Sequence, residues 1–304
     1  MRIRLLAVLG AVLMIVAAVV VRARIDSSGD GGSNGGSGSS GNGTVVCDAA
    51  LGDACPSSAT REAATDTADR LLAVRGAAPL ATWLTAGPWA SMVDATRKVQ
   101  SQSSLFGREA AVASTPLVAV VRKGRLSCRP VTWKCIGDAS MTQPAIAVAA
   151  PDARTSIGLL VRVAAVSGFL GAPPDSIADV RDNADATTWL GTLEDRINDA
   201  RNRGSTDLDT WISIFPASSD VFLTTQAEAN AVVRGSRVGS DVDIVVPSPQ
   251  VYVEAGVADT GSRRFDSTKL RELLTKAGWD PGAAKVDTGL PSPDVLLALQ
   301  QVVR

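Results

Sequence analysis

From Thr44 onward, short runs of β-branched and apolar residues alternate with stretches whose apolar residues have helical spacing. Residues 45–46 begin the first predicted strand, and residues 117–121 form the continuous apolar run that is typical of a buried strand. Apolar residues recur at intervals of three or four over residues 189–200, which predicts an amphipathic helix. Strands that alternate with helices in this way predict an α/β fold.

Further strands are predicted at short apolar stretches, namely 80–89, 145–149, 211–215, 221–223, 242–246 and 251–253. Further helices are predicted to begin at capping residues or prolines, namely Ser57 or Ser58, Pro88, Thr155 or Ser156, Thr225, Ser267 and Ser292. The body that contains these elements is long for one compact domain, which favours two lobes.

The first predicted strand changes at Cys47 into small and turn-forming residues. Open α/β sheets bind ligands at the carboxyl ends of their strands. We therefore predict that Asp48 and Ala49 lie on one wall of a ligand cleft. The alternative is an ordinary first turn between a strand and a helix.

The chain begins with an apolar run over residues 5–21, which arginines flank on both sides. Residues 1–25 therefore form a transmembrane anchor or a signal peptide, and the sequence leaves these two alternatives open. Residues 26–43 contain only Gly, Ser, Asn and Asp, which predicts a flexible linker. We expect the body, residues 44–304, to lie outside the cell membrane on a single N-terminal span, or to be secreted.

The four cysteines form two pairs that are close in sequence, Cys47 with Cys55 and Cys128 with Cys135. Neither pair has the C-x-x-C spacing, and two disulfides in an oxidising compartment are the interpretation that fits an exported body. Other pairings, or four independent buried thiols, remain open alternatives.

The chain of 304 residues contains no histidine and has a formal net charge of -1. This composition excludes a Ser-His-Asp or Cys-His catalytic site and removes the commonest zinc ligand. A charge balance without a basic face gives no indication of nucleic-acid binding. The glutamates show no catalytic constellation in the sequence, namely Glu62, Glu109, Glu194, Glu228, Glu254 and Glu272. We predict a protein that is not an enzyme and has no cofactor and no metal.

Several short stretches, taken in order, resemble bacterial extracellular solute-binding proteins of the type II periplasmic-binding fold, near the molybdate-binding branch. They are residues 82–94, 114–120, 151–160, 241–252, 274–279 and 289–293. The last of them also resembles actinobacterial substrate-binding domains. The resemblance covers the chain from Thr44 to the C-terminus.

The resemblance implies two lobes joined by a hinge of two crossover strands. Lobe one would comprise about 44–116 plus 247–304, and lobe two about 117–246. Proteins with this fold close on a ligand by hinge motion. The implied partners are a small polar solute and an ABC-type transporter or an envelope protein. The chain would contact the membrane through its N-terminal segment, and the implied state is a monomer.

The ligand would lie between the lobes, against four turns. The candidate ligand-binding residues are the members of these turns, namely Asp48, Ala49, Thr85, Ala86, Thr155, Ser156, Thr224 and Thr225. Hydroxyls and free N–H groups at helix N-termini suit an anion or a polar small molecule. The alternative for the Thr and Ser residues is that they only cap helices.

Asp48 stands where the oxyanion binders of this family present a small or hydroxyl residue, and a carboxylate there repels an anion unless it turns away or is paired. The function that the resemblance implies is capture of a small polar solute between two lobes. The alternative is a repurposed binding fold that acts as an exported interaction or scaffold domain without a small ligand.

Overall fold

The computed structural model describes residues 44–142, 145–214, 219–261, 264–283 and 289–302. The strands are β1 (Val45–Asp48), β2 (Thr60–Glu62), β3 (Thr82–Ala86), β4 (Arg108–Arg122), β5 (Val148–Ala149), β6 (Val221–Thr225), β7 (Val242–Val245) and β8 (Tyr252–Asp259). The helices are α1 (Ala64–Ala73), α2 (Trp89–Val99), α3 (Trp133–Met141), α4 (Ser156–Leu170), α5 (Ala178–Arg181), α6 (Ala184–Asn202), α7 (Leu208–Ser213), α8 (Gln226–Arg234), α9 (Ser267–Lys276) and α10 (Pro293–Val302). Short 3-10 helices lie at Ala49–Ala54, Gly239–Asp241 and Pro281–Ala283.

The strands form one mixed sheet in the order β2-β1-β3-β8-β4-β6-β5, with β7 also paired to β4. β1 runs parallel to β2 and β3, and β5 runs parallel to β6. β8 is antiparallel to both β3 and β4. The α/β prediction is confirmed, because helices connect most of the strands along the chain.

The long strand β4 belongs to two halves of this sheet. Residues 108–116 pair with β8, whereas residues 117–122 pair with β6 and β7. We call β1, β2, β3, β8 and residues 108–116 the first half. We call β5, β6, β7 and residues 117–122 the second half. The change of partners within one strand joins the two halves covalently.

Helix α4 is buried over most of its length, so its apolar residues face the core on nearly every side. Arg162 is a charged residue in this buried helix. Its side chain is 1% exposed and forms an ion pair with Glu194 at 2.7 Å. Its guanidinium also donates to the carbonyls of Pro151 (2.8 Å) and Gly158 (2.9 Å). The buried charge is thus paired and hydrogen-bonded, as burial requires.

The first turn of α4 packs directly on the loop before it. A Cβ at Gly158 would lie 1.9 Å from the carbonyl oxygen of Asp152, so this position needs glycine. Thr155 caps the same turn, because its hydroxyl accepts a hydrogen bond from the Gly158 N–H at 3.0 Å. These contacts fix the place of Ser156, the first residue of α4.

Two predicted elements are wrong. The expected strand over 211–215 is helix α7 in its described part, and Asp207 caps that helix by accepting from the Thr210 N–H at 2.8 Å. Five alternating residues do not distinguish a short strand from a short helix, and the cap decides. Ser57 and Ser58 lie in a turn and cap no helix; β2 comes next, and α1 begins at Ala64.

Candidate functional site

The centre of the candidate site is the carboxylate of Asp48, the last residue of β1, which is 1% exposed. Its Oδ1 accepts a hydrogen bond from the Ala50 N–H at 3.0 Å. Its Oδ2 accepts from the Ala86 N–H at 3.2 Å, and the Ser156 hydroxyl donates to the same oxygen. One buried carboxylate therefore satisfies three donors; we call this arrangement the Asp48 cluster.

The three donors come from three separate elements. Ala50 lies in the first turn of the 3-10 helix after β1, and Ala86 is the last residue of β3 in the first half of the sheet. Ser156 begins α4, which follows β5 of the second half. The hydrogen bond between Ser156 and Asp48 therefore links a residue of the first half to the element that follows a strand of the second half.

Burial raises the pKa of Asp48 from 3.8 to about 6, and the hydrogen bonds from Ser156, Ala50 and Ala86 oppose this shift. Desolvation disfavours the charged form of a carboxyl group more than these donors favour it. Asp48 is therefore a carboxyl group whose charge changes near neutral pH.

Two predicted site residues lie next to the cluster without joining it. Ala49 is exposed and begins the 3-10 helix that Asp48 caps. Thr85 is fully buried, and its hydroxyl has no hydrogen-bond partner among the described residues. Because successive residues of a strand face opposite sides, its side chain points away from that of Ala86.

The remaining predicted site residues act as local structure. Thr155 is the N-cap of α4, and Thr225 is the N-cap of α8, where its hydroxyl accepts from the Glu228 N–H at 3.2 Å. The Thr224 hydroxyl donates to the carboxylate of Glu228. The structure thus brings Asp48, Ala86 and Ser156 together, and in the described part of the chain no hydrogen bond joins Thr224 or Thr225 to that cluster.

The sequence did not predict that the turn after β3 packs against both α4 and β8. Gly87 has a φ of +93°, and a Cβ there would lie 3.0 Å from Leu160 Cδ1 on α4. Its N–H donates to the carbonyl of Glu254 at 2.7 Å, so the turn also holds β8. A cavity of about 110 Å³ opens beside this turn, with Glu109 and Glu254 in its wall. No local motif links Glu109 to Glu254: they lie on the paired strands β4 and β8, opposite Ala258 and Ser114 respectively, and both line this cavity.

The predicted absence of a metal site remains a prediction. Across the ranges that the structure describes, no three His, Cys, Asp or Glu side chains come together as a set that could hold a metal ion.

The structure forms the two disulfides that sequence proximity predicted, Cys47–Cys55 and Cys128–Cys135. Their Cα atoms are 5.9 Å and 6.5 Å apart, respectively. The first disulfide closes the loop that carries Asp48, so it holds the 3-10 helix and its N–H donors against the end of β1.

Under native conditions, we expect the Cys128–Cys135 disulfide to be reduced before the Cys47–Cys55 disulfide. Cys47 is fully buried and Cys55 is 4% exposed, whereas Cys128 and Cys135 are half-buried. A thiolate must reach the sulfur that it attacks, so access sets the order. Graded reduction, alkylation and mass spectrometry measure it. Unfolding in urea should abolish the difference; reduction of Cys47–Cys55 first in the folded protein would contradict the prediction.

Comparison with solved structures identifies the fold. Apo FutA2 from Synechocystis PCC6803 superposes over 86% of this chain and 95% of its own, with a TM-score of 0.51 and 12% identity. A Bordetella parapertussis protein described as an extracellular solute-binding protein matches over 81% of this chain and 86% of its own, with a TM-score of 0.50 and 10% identity. The sulfate-binding protein SubI from Mycobacterium tuberculosis H37Rv matches over 86% and 91%, with a TM-score of 0.44 and 17% identity.

No family model matches this chain, and no curated protein matches it. The class that remains is structural: a mixed α/β, two-lobe fold like that of type II periplasmic-binding proteins, as the resemblance predicted. Within the described residues, no helix has both the length and the apolar character to cross a bilayer. The predicted anchor or signal segment, 1–25, and the linker, 26–43, lie outside the described residues.

Proposed function

We propose that this chain is an extracytoplasmic solute-binding protein that captures a small polar solute between two lobes. The observation that carries the proposal is the Asp48 cluster, in which the turns after β1 and β3 meet the first residue of α4 on one buried carboxylate. In this fold, the carboxyl ends of strands and the N-termini of helices are where ligands bind.

The proposed lobes are 44–116 plus 247–304 and 117–246. The change of partners in β4 after residue 116 supports this division, as does the start of β8 beside it at Tyr252. The hinge would then consist of β4 and the chain that enters β8. Opening at this hinge would separate Ser156 from Asp48 and expose the carboxylate to a solute.

The Asp48 cluster also bears on the class of solute. The donors that would hold an oxyanion already bind the carboxylate of the protein itself, and a second anion at this point would be repelled. We therefore propose a solute that donates hydrogen bonds to Asp48 and accepts one from Ser156. The chain would then share the fold of the molybdate-binding branch and of actinobacterial substrate-binding domains, and it would bind a different ligand.

The N-terminal segment completes the proposal. Residues 1–25 would anchor the chain in the membrane or direct its export, and residues 26–43 would hold the body away from the membrane surface. The partner would be an ABC-type transporter or an envelope protein, and the body would act as a monomer. Two disulfides fit an oxidising compartment of this kind.

The test is thermal unfolding and small-angle scattering of the full chain, with disulfides intact, against neutral, cationic and anionic solutes. A true solute at about one hundred times its Kd should add about 2.7 kcal/mol of stability and compact the particle. Asp48→Asn should abolish that shift, whereas Glu272→Gln, on the exposed face of α9, should preserve it. A panel without any shift or compaction would refute the proposal.

The same cluster favours a second candidate function. A carboxylate that satisfies all three donors holds the two halves together without a ligand, as a repurposed interaction or scaffold domain would require. This candidate predicts a saturable envelope-protein partner and no response to small solutes. A small solute that stabilises the chain, together with no recoverable partner, would exclude it.

A further inference from the structure

A second cavity lies where α1 and α2 end, away from the Gly87 turn. Its volume is about 450 Å³, which is within the range of small-molecule sites. Its wall contains Arg75, which follows α1, Arg97 in the last turn of α2, and residues of the loop 101–105. Because α2 is 11 residues long and begins beside the Gly87 turn, roughly 15 Å of helix separate that turn from this cavity.

Arg97 is a charged residue that is 2% exposed and lines this cavity. Its Nη1 donates to the carbonyls of Leu71 (3.1 Å) and Val74 (2.6 Å), and its Nε donates to that of Ser103 (2.9 Å). The remaining nitrogen, Nη2, donates to no described residue, yet it is not one of the fully buried atoms that lack a partner, so solvent reaches it. Among the described residues, no carboxylate forms an ion pair with Arg97. Buried charges are normally paired, so this guanidinium is a candidate contact for an anion.

Arg75 brings a second guanidinium to the same wall. Its side chain is exposed, and it forms no hydrogen bond or ion pair with any described residue. No Asp or Glu of the described ranges lines the cavity. The Asp94 carboxylate fixes the end of the loop by accepting from the N–H groups of Leu105 (2.8 Å) and Phe106 (3.4 Å), and it does not line the cavity. The wall therefore carries two positive charges and no negative charge.

Two helices end at this cavity, and free carbonyls at helix C-termini would repel an anion. Here the carbonyls already have donors: Arg97 binds two of them at the end of α1, and those of residues 96–98 in α2 accept from the N–H groups of residues 100–102. The loop that follows has donors to spare. The N–H groups of Ser103 and Ser104, and the hydroxyls of these residues and of Ser101, have no acceptor among the described residues, and all three serines line the cavity.

We propose that this cavity binds the phosphate group of a small phosphate monoester. The guanidinium groups of Arg75 and Arg97 supply the positive charge, and the loop serines supply further donors to the phosphate oxygens. A phosphate monoester presents three strong acceptor oxygens and can use donors from several directions, whereas a carboxylate has two oxygens in one plane. The volume leaves room for the organic part of the ester. The site lies at the other end of α2 from the Asp48 cluster and is independent of the solute capture proposed there.

Calorimetric titration of the full chain with glycerol 3-phosphate tests the site, with glycerol as the neutral control. We expect saturable binding of the ester and none of glycerol. Sulfate is a weaker hydrogen-bond acceptor and leaves most of the cavity unfilled, so it should bind about tenfold more weakly or less. Dihexanoyl phosphatidic acid separates two sources of the same group: tighter binding than that of glycerol 3-phosphate indicates a lipid headgroup, and weaker binding indicates a soluble ester.

Arg75→Gln should weaken binding of glycerol 3-phosphate about tenfold and leave the Tm unchanged, because this side chain has no partner to lose among the described residues. Ser104→Asp places a carboxylate on the wall and should abolish binding. Arg97 stays intact in these tests, because it also holds the end of α1. Arg271→Gln, exposed on α9, removes the same charge elsewhere and should bind like the wild type. Any of three results would overturn the inference: no saturable binding of glycerol 3-phosphate, unchanged binding in Arg75→Gln, or equal affinity for sulfate.

Discussion

Asp48→Ala is expected to convert the Asp48 cluster into an oxyanion site, so that millimolar sulfate or acetate raises the Tm of the variant by several degrees. The substitution leaves the Ala50 and Ala86 N–H groups and the Ser156 hydroxyl without the carboxylate that they bind in the wild type. Buried donors without an acceptor cost about 1–3 kcal/mol each, and a small anion would satisfy all three. An anion at one hundred times its Kd would add about 2.7 kcal/mol.

The wild type should show no such response, because its own carboxylate occupies the donors. Thermal unfolding of both proteins at matched ionic strength, with chloride in place of the test anion, removes the general salting effect of sulfate. A double variant, Asp48→Ala with Ser156→Ala, should respond less, since it lacks one donor. Equal responses of the wild type and Asp48→Ala would show that the carboxylate does not fill an anion site.

The stability of the wild type relative to Asp48→Asn is expected to fall by about 2 kcal/mol as the pH rises from 4 to 7. The pKa of Asp48 is 3.8 in its unperturbed state and about 6 in the fold, so the folded protein holds this proton more tightly. Its stabilising effect is complete below the unfolded value and is lost as the pH rises through the folded value. Urea unfolding at intervals of one pH unit, with disulfides intact, measures the difference.

Subtracting the unfolding free energy of Asp48→Asn from that of the wild type at each pH cancels the contributions of the other carboxyl groups. Burial also raises the pKa of Glu228, for example, and hydrogen bonds and arginine charges lower that of Asp220, but both residues are present in each protein. Two stability curves that run parallel from pH 4 to pH 7 would contradict the raised pKa of the buried Asp48.

The two predictions bear on function in the same way. If the cluster is a filled anion site, loss of one carboxylate should be enough to produce anion binding. If Asp48 is also the group that meets a solute, the same residue should control the solute response, the lobe contact with Ser156 and the pH dependence. Agreement of these three readouts would tie the proposed capture of a polar solute to one carboxyl group.

Much of the fold followed from neighbouring residues alone. Periodicity indicated the α/β class, and spacing indicated both disulfides. The caps at Thr155 and Thr225 were predictable because a hydroxyl and the N–H three residues later are a local pair. The strand predicted over 211–215 was wrong, because a short alternation of apolar and polar residues is compatible with both a strand and a helix until its packing is known.

The candidate site depended on contacts that no local rule contains. Asp48 was singled out by its position at the end of β1, but its pairing with Ala86 and Ser156 requires three distant segments to meet. Glu109 and Glu254 were two scattered carboxylates in the sequence, and the pairing of β4 with β8 placed both of them in the wall of one cavity. Local propensity acts over a few residues and decides where helices, strands, caps and short disulfide loops form. The register of paired strands and the packing of α4 on the Gly87 turn decide which side chains share a buried space, and burial then sets their charge.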